Sequence, residues 1–193
     1  MRLLASIVLA SASPRRKQLL AEAGYKFTVC PADIDESAIP AEGIEPREYA
    51  KRLALAKAKS VAAGFPNRLV IGADTVVDFK GEIVGKPCDA KEAKEITRKL
   101  FSRPHKVITA VAVVRLSNGI KMVESDTTTV YPKKMTEKQI ARHIEDGSWR
   151  GKAGAYAIQE GADEFIEKID GSLTNVMGLP MELLERMLAG INE

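Results

Sequence analysis

An apolar run from Leu3 to Ala10, broken only by Ser6, leads without a gap into Ser11-Ala12-Ser13-Pro14-Arg15-Arg16. The run is short and partly β-branched, and it reads as a buried strand. A helix start follows. Ser13 suits the N-cap, where its hydroxyl accepts from a free amide of the first turn. Pro14 falls at the first helical position, where its missing N–H costs nothing. Gly24 closes the helix at a position that favours left-handed backbone. The opening of the chain is therefore a strand, a tight turn and a helix whose N-terminus faces out of the strand's carboxyl end. Such a turn is an anion site, because free amides and the positive end of the helix dipole point the same way.

Arg15 and Arg16 stand in that first turn, where cations oppose the dipole and a stability argument would place Asp or Glu. An anionic ligand offsets the repulsion, and phosphate suits the guanidinium fork. Ser11 and Ser13 add hydroxyls to the same turn.

A second stretch has the same weight: Leu69-Val70-Ile71-Gly72-Ala73-Asp74-Thr75-Val76-Val77. An Asp inside a buried apolar strand is costly unless it is paired, hydrogen-bonded or bound to a metal. We read Asp74 as functional, with Gly72 permitting a close backbone approach. A helix from Pro46 to Ala63 precedes this strand. Lys57 and Lys59 project from different faces of it, and its period does not say which one points to a cleft. The acidic, turn-rich stretch from Pro31 to Glu45 carries Glu36. Gly85-Lys86-Pro87 is no P-loop, since no Gly lies five residues before Gly85 and no Ser or Thr follows Lys86.

The rest alternates strands and helices. Strands are expected over Tyr25–Cys30, His105–Leu116, Ile120–Tyr131, Ala153–Ile158 and Phe165–Ile169. Helices are expected over Ala90–Phe101, Glu137–Glu145 and Pro180–Leu188, with turns at Asp78–Glu82, Ser117–Gly119 and Gly171–Asn175. His105 reads as a buried imidazole satisfied by backbone, and His143 as helix surface. Strands and helices mix in both orders, with no repeat, linker or low-complexity segment. The class is α/β with a large mixed twisted sheet flanked by helices, and residues 1–193 form one domain.

The net charge of +3 is too mild to imply nucleic acid, and aromatics at 5% leave little for base stacking, so nucleic-acid binding is not expected. No stretch is long enough to span a membrane. Cys30 and Cys88 have no metal spacing. Free thiols in a reducing compartment are expected, with a Cys30–Cys88 bridge as the alternative, and the location expected is the cytoplasm.

Ser11, Ser13, Arg15, Arg16, Glu36, Lys57, Asp74, Lys86, Lys152 and Gln159 make a cationic set around a few carboxylates. It suits a polyphosphate ester with a divalent metal, Mg2+ or Mn2+, held in part by Glu36 and Asp74. No Ser-His-Asp or Cys-His set is evident, so a carboxylate activating water is the simplest hydrolytic chemistry.

In this order the segments resemble the Maf family of nucleoside triphosphate pyrophosphatases, which release diphosphate and leave the monophosphate. The resemblance rests on Leu9 to Arg16, Asp35-Glu36, Leu55 to Ala58, Gly72 to Val77, Gly85 to Pro87, Lys152 to Tyr156 with Ile158-Gln159, and Asn175 to Pro180. It implies two lobes about a central cleft, similar to the inosine triphosphatase-like fold, a divalent metal, and homodimers. It implies Asp74 as proton acceptor. Ser11, Ser13, Arg16, Lys57 and Lys86 are then the phosphate-binding residues. Arg15, Thr75 and Gln159 match the specificity positions of the branch that resembles dTTP/UTP pyrophosphatases. The chain departs from the family at Leu100-Phe101-Ser102-Arg103-Pro104-His105, where Leu-Ser-Gly-Arg often precedes the His, and at Glu160, which separates Gln159 from Gly161. Two rival readings are a housecleaning pyrophosphatase for modified nucleotides and a non-catalytic nucleotide or nucleic-acid sensor regulating septum formation.

Overall fold

A computed structural model describes residues 7–156 and 163–191. In chain order the elements are β1 (Ile7–Leu9), α1 (Pro14–Glu22), β2 (Phe27–Val29), α2 (Pro46–Ala62), β3 (Leu69–Phe79) and β4 (Glu82–Val84). They continue as α3 (Ala90–Leu100), β5 (His105–Arg115), β6 (Ile120–Pro132), α4 (Glu137–Glu145), β7 (Ile166–Asp170), α5 (Leu173–Met177) and α6 (Met181–Ala189). The strands form one seven-stranded sheet in the order β2-β1-β3-β5-β6-β7, with β4 against β3. β1 runs parallel to β2 and β3, and the other pairs are antiparallel.

Alternation along the central strands builds a core on each face of this sheet. Leu69, Ile71 and Ala73 of β3 join Val111 and Val113 of β5 under α1 and α6. Val70 and Val76, with Ile108, Ala110 and Ala112, face α2. A fully buried aliphatic such as Ile71 or Leu184 contributes about 1.5–3 kcal/mol relative to exposure. A third packing centre lies farther along the sheet, where Val77, Val107 and Val130 meet Leu100 of α3, Ile140 of α4 and Tyr156. The long strands β3, β5 and β6 cross from the first pair of cores to the third, so two lobes share one sheet.

α2 lies flat on the sheet through Ala50, Ala54 and Ala58, each fully buried. Gly72 makes this possible. A Cβ there would stand 2.4 Å from the Ala54 carbonyl oxygen and 2.7 Å from the Ala58 nitrogen.

Three expectations need correcting. Ala153–Ala155 is a 3-10 turn rather than a strand, because Gly154 and Ala155 both adopt left-handed backbone and the Gly154 N–H bonds to Gly85 O. The rest of that expected strand, residues 157–162, lies outside the described residues, and Gln159 with it. The turn expected near Asn175 continues into α5, capped by the Ser172 side chain. His143 is half-buried rather than on the surface. Its Nε2 lies 2.8 Å from Ala155 O and its Nδ1 is 3.2 Å from Ser148 Oγ.

Candidate active site

β3 is left uncovered in its middle. On one side β5 pairs with it from Val70 to Asp78. On the other side β1 covers only Leu69–Ile71 and β4 only Val77–Phe79. Among the described residues, Gly72–Val76 therefore have no neighbouring strand on that side. A cleft of about 400 Å³ opens at this gap, and Asp74 and Thr75 line it. As neighbours in a strand they point to opposite faces, Asp74 toward α2 and Thr75 toward α1 and α5.

The Asp74 face holds the carboxylates. Lys57 Nζ lies 2.6 Å from Asp74 Oδ1 and 2.8 Å from Glu36 Oε1. The side chains of Lys57 and Asp74 are only 11% and 8% exposed, whereas Glu36 is 42% exposed. The α2 period left Lys57 and Lys59 open; packing against Gly72 turns Lys57 inward. Glu36 is presented by a short 3-10 turn, Glu36–Ala38, whose preceding Asp35 accepts from Ser37 N–H. Burial pushes the Glu36 carboxyl up, but its bond to Lys57 and the charges of Lys57, Lys86 and Arg16 outweigh this and hold it below its usual value. Asp74 Oδ2 makes no hydrogen bond among the described residues.

The Thr75 face is organised by Arg16. The N-terminus of α1 forms as expected, with Ser13 Oγ accepting from Arg16 N–H. The Arg16 guanidinium then reaches across the gap. Nε donates to Gly178 O at 2.6 Å, Nη1 to Ala73 O at 2.8 Å and Ser11 Oγ at 3.2 Å, and Nη2 to Thr75 Oγ1 at 3.1 Å. Ala73 O is on the uncovered edge, so the arginine supplies the bond a strand would have made. Burial lowers the Arg16 pKa, and the adjacent Arg15 adds to that, while Asp74 and Glu36 act against it. Ser11 Oγ accepts from both Ser13 N–H and Arg16, which leaves its own proton to donate.

Ser11, Ser13, Arg15, Arg16, Glu36, Lys57 and Lys86 all line the same cleft. Arg15 and Lys86 make no hydrogen bond or ion pair among the described residues, so both are available to an anion. The structure thus brings together Ser11, Ser13, Arg15, Arg16, Glu36, Lys57, Asp74, Thr75 and Lys86 and divides these cations by task, whereas Lys152 does not line the cleft and donates to Ser148 O. Lys57 is bound to the carboxylates, Arg16 to the scaffold, and Arg15 and Lys86 are open.

Three residues were assigned no role from the sequence, although Asn175 and Gly178 lie in a segment that carries the resemblance. Thr109 and Asn175 are fully buried behind Thr75, and Gly178 clamps Arg16. The argument that flagged Asp74, a polar residue in an apolar strand, applies equally to Thr109. His105 is buried, as expected, and its Nε2 lies 2.7 Å from the Tyr156 hydroxyl. Burial lowers its pKa to about 4, so the imidazole is neutral near pH 7.

Glu36 and Asp74 converge on one cation, Lys57, within 3 Å of each oxygen. Among the described residues no group of three or more His, Cys, Asp or Glu gathers to hold a metal ion. Two carboxylates suit Mg2+, which takes one or two protein oxygens and completes its shell with phosphates and water. The residues present fit such an ion shared with a triphosphate. No helix among the described residues is long and apolar enough to cross a membrane, and both cysteines carry free thiols.

A sequence model of the family described as "Maf-like protein" matches residues 6–191. The chain is 48% identical over 176 residues to a dTTP/UTP pyrophosphatase of Citrifermentans bemidjiense, covering 91% of this chain and 90% of that protein. It is 47% identical over 175 residues to one of Geobacter sulfurreducens, covering 91% of each. Among solved structures it is similar to the Ham1 protein of Staphylococcus aureus, with a TM-score of 0.53 at 14% identity over 96% of this chain and 98% of that one. The HAM1 protein of Coxiella burnetii gives 0.53 at 12% identity over 97% and 100%. At such identities the likeness establishes the fold alone, which this chain shares with these Ham1 proteins.

Proposed function

The chain belongs to the Maf family, and from that premise we propose that it hydrolyses nucleoside triphosphates, dTTP and UTP foremost, to the monophosphate and diphosphate. One observation carries this reading: a paired, nearly buried Asp74 at an uncovered strand edge, facing a cleft of open cations. A structural carboxylate needs no such cleft.

In this reading Arg15, Lys86 and the Ser11 hydroxyl bind the triphosphate oxygens. Ser13 and the α1 N-terminus orient the same anion, and one Arg16 N–H joins them. Lys57 bonds Asp74 through Oδ1 and fixes the orientation of its carboxylate. Oδ2, free of protein partners among the described residues, accepts a proton as a water attacks the α-phosphorus and the bond to the leaving diphosphate breaks. Glu36 and Asp74 would hold a divalent cation, Mg2+ or Mn2+, which when bound supplies neutralising charge to the phosphates. Thr75, Arg15 and Gln159 form the base-selecting set, with Gln159 offering both a donor and an acceptor to a uracil or thymine edge. The reading takes residues 1–193 as one functional unit acting in the cytoplasm, with two copies pairing as the resemblance implies. Diphosphate release across a panel of canonical and modified nucleotides, with Mg2+ or Mn2+, tests it. We expect dTTP and UTP to lead; turnover confined to modified nucleotides, or no turnover at all, overturns it.

A further inference from the structure

Asn175 begins the segment Asn175 to Pro180, which has no part in the chemistry above, yet it is fully buried. Its carboxamide bonds to the β5 backbone at a point where β6 also pairs with that strand. Oδ1 accepts from Thr109 N–H at 3.1 Å and Nδ2 donates to Val107 O at 2.9 Å, two groups on one edge of β5. The second Nδ2 proton goes to Thr128 Oγ1 at 2.9 Å. The side chain is thereby satisfied and fixed in register with the sheet.

Two arms run from this anchor to the cleft. In the first, the Asn175 carbonyl accepts from Thr109 Oγ1 at 2.8 Å. Thr109 and Thr75 hydroxyls are 2.9 Å apart. A hydroxyl has one proton, and Thr109 has given its own to Asn175, so Thr75 must donate to Thr109. Arg16 has no acceptor and donates to Thr75. The chain has one polarity: Arg16 to Thr75 to Thr109 to the Asn175 carbonyl. In the second arm, Gly178 turns the backbone at φ 104°, and its carbonyl takes the Arg16 Nε–H at 2.6 Å. A Cβ at Gly178 would stand 3.4 Å from Thr75 Oγ1 and 3.5 Å from Arg16 Nε, against both members of the unit it holds.

We propose that Asn175 is a positioning residue, acting through Thr109 and Gly178 to present Arg16 and Thr75 to the nucleotide as one rigid unit. Two consequences follow for substrate selection, on the reading that this cleft binds nucleoside triphosphates. Thr75 has already donated its proton to the protein, so it meets a base with a methyl group and one acceptor and cannot donate to a base carbonyl. Arg16 has spent four of its five N–H groups among the described residues, so it offers the phosphates one aimed N–H.

Asn175 variants risk unfolding, so the test uses Thr109→Val, which keeps the shape and removes the hydroxyl, with Thr75→Val and the double variant. We expect each single change to lower kcat/KM for dTTP by about tenfold, the scale of one lost hydrogen bond. The double variant should lose little more, because both changes break the same relay. Thr109→Val frees the Thr75 proton, so it should also shift the ratio of dTTP to other nucleotides accepted. In NMR, Arg16 Nε–H should exchange slowly with solvent in the parent protein and faster in Thr109→Val. Losses that multiply, or a lowered Tm with an unchanged nucleotide ratio and unchanged Arg16 exchange, overturn the proposal. Inorganic tripolyphosphate binding by the same variants keeps the test separate from the activity. If the parent hydrolyses no nucleotide, the functional reading fails, while a faster Arg16 exchange and weaker tripolyphosphate binding in Thr109→Val still support the relay.

Discussion

The Lys57 ammonium lies 2.6 Å from Oδ1 of Asp74, across the joint between α2 and β3. Both side chains are nearly closed to solvent, so the pair fixes the orientation of the carboxylate as well as the seating of the helix.

Asp74→Asn keeps the shape and removes the basicity. We expect hydrolysis to fall by at least ~10²–10⁴-fold, the range for loss of a general base, with far-UV circular dichroism unchanged. Measuring kcat against metal concentration separates the roles. Recovery of part of the rate by added metal marks Asp74 as a ligand; no recovery marks it as the proton acceptor.

Lys57→Met leaves Asp74 buried without its partner. Breaking a buried pair by removing one member costs about 3–5 kcal/mol, and we expect the low end of this because Glu36 opens to solvent. The acid limb should change as well. The Glu36 pKa is depressed below its ordinary 4.5. Its contribution to stability is therefore present above that value and lost as pH falls through the lower folded value. Urea titrations between pH 6 and pH 3 should show this loss in the parent protein and a flatter profile in Lys57→Met.

Gly72→Ala places a methyl 2.4 Å from the Ala54 carbonyl oxygen, a backbone atom with no rotamer to yield. α2 must lift, and Lys57 lifts with it. Overpacking of this kind costs about 1–3 kcal/mol. Turnover should fall further than the melting temperature suggests, and a kcat that tracks stability alone would contradict the linkage.

Arg15→Ala should weaken triphosphate use while sparing the fold, since the side chain opposes the α1 dipole and bonds to nothing among the described residues. Loss of a charge-assisted contact predicts about 1.5–3 kcal/mol in kcat/KM. A thermal melt within a degree or two of the parent is the control.

Excess chelator should abolish turnover and leave the fold intact. Two carboxylates already bridged by Lys57 keep their counter-charge without an ion. A melting temperature that collapses on chelation would instead mean a structural metal.

Most of the scaffold was legible because its signals are local. Ser13-Pro14 marked the start of α1, and Gly72 marked the close approach of α2. Asp74 stood out because a carboxylate in an apolar strand needs a reason. The bare edge of β3 was not legible, since it follows from where β1 stops and β4 begins, and strand registry is set by tertiary packing. The choice of Lys57 over Lys59 needed the same information. The turn at Ala153–Ala155 looked like a strand because small residues carry little periodicity, and only the left-handed backbone of Gly154 and Ala155 reveals it. Thr109 was missed, and Asn175 was noted in a motif but given no role, for another reason: their partners are distant in sequence, and no short-range pattern records a hydrogen-bond relay.

The bond from Arg16 to Gly178 joins residues 162 positions apart. All seven strands precede residue 171, so a growing chain holds the whole sheet before it has the carbonyl that fixes Arg16. The cleft is therefore completed only after the sheet that frames it. A ribosome-tethered or C-terminally clipped chain has its carboxylate and its lysines but no fixed guanidinium. Residues 175–178 are thus as much a part of the Arg16 site as the helix that carries the arginine.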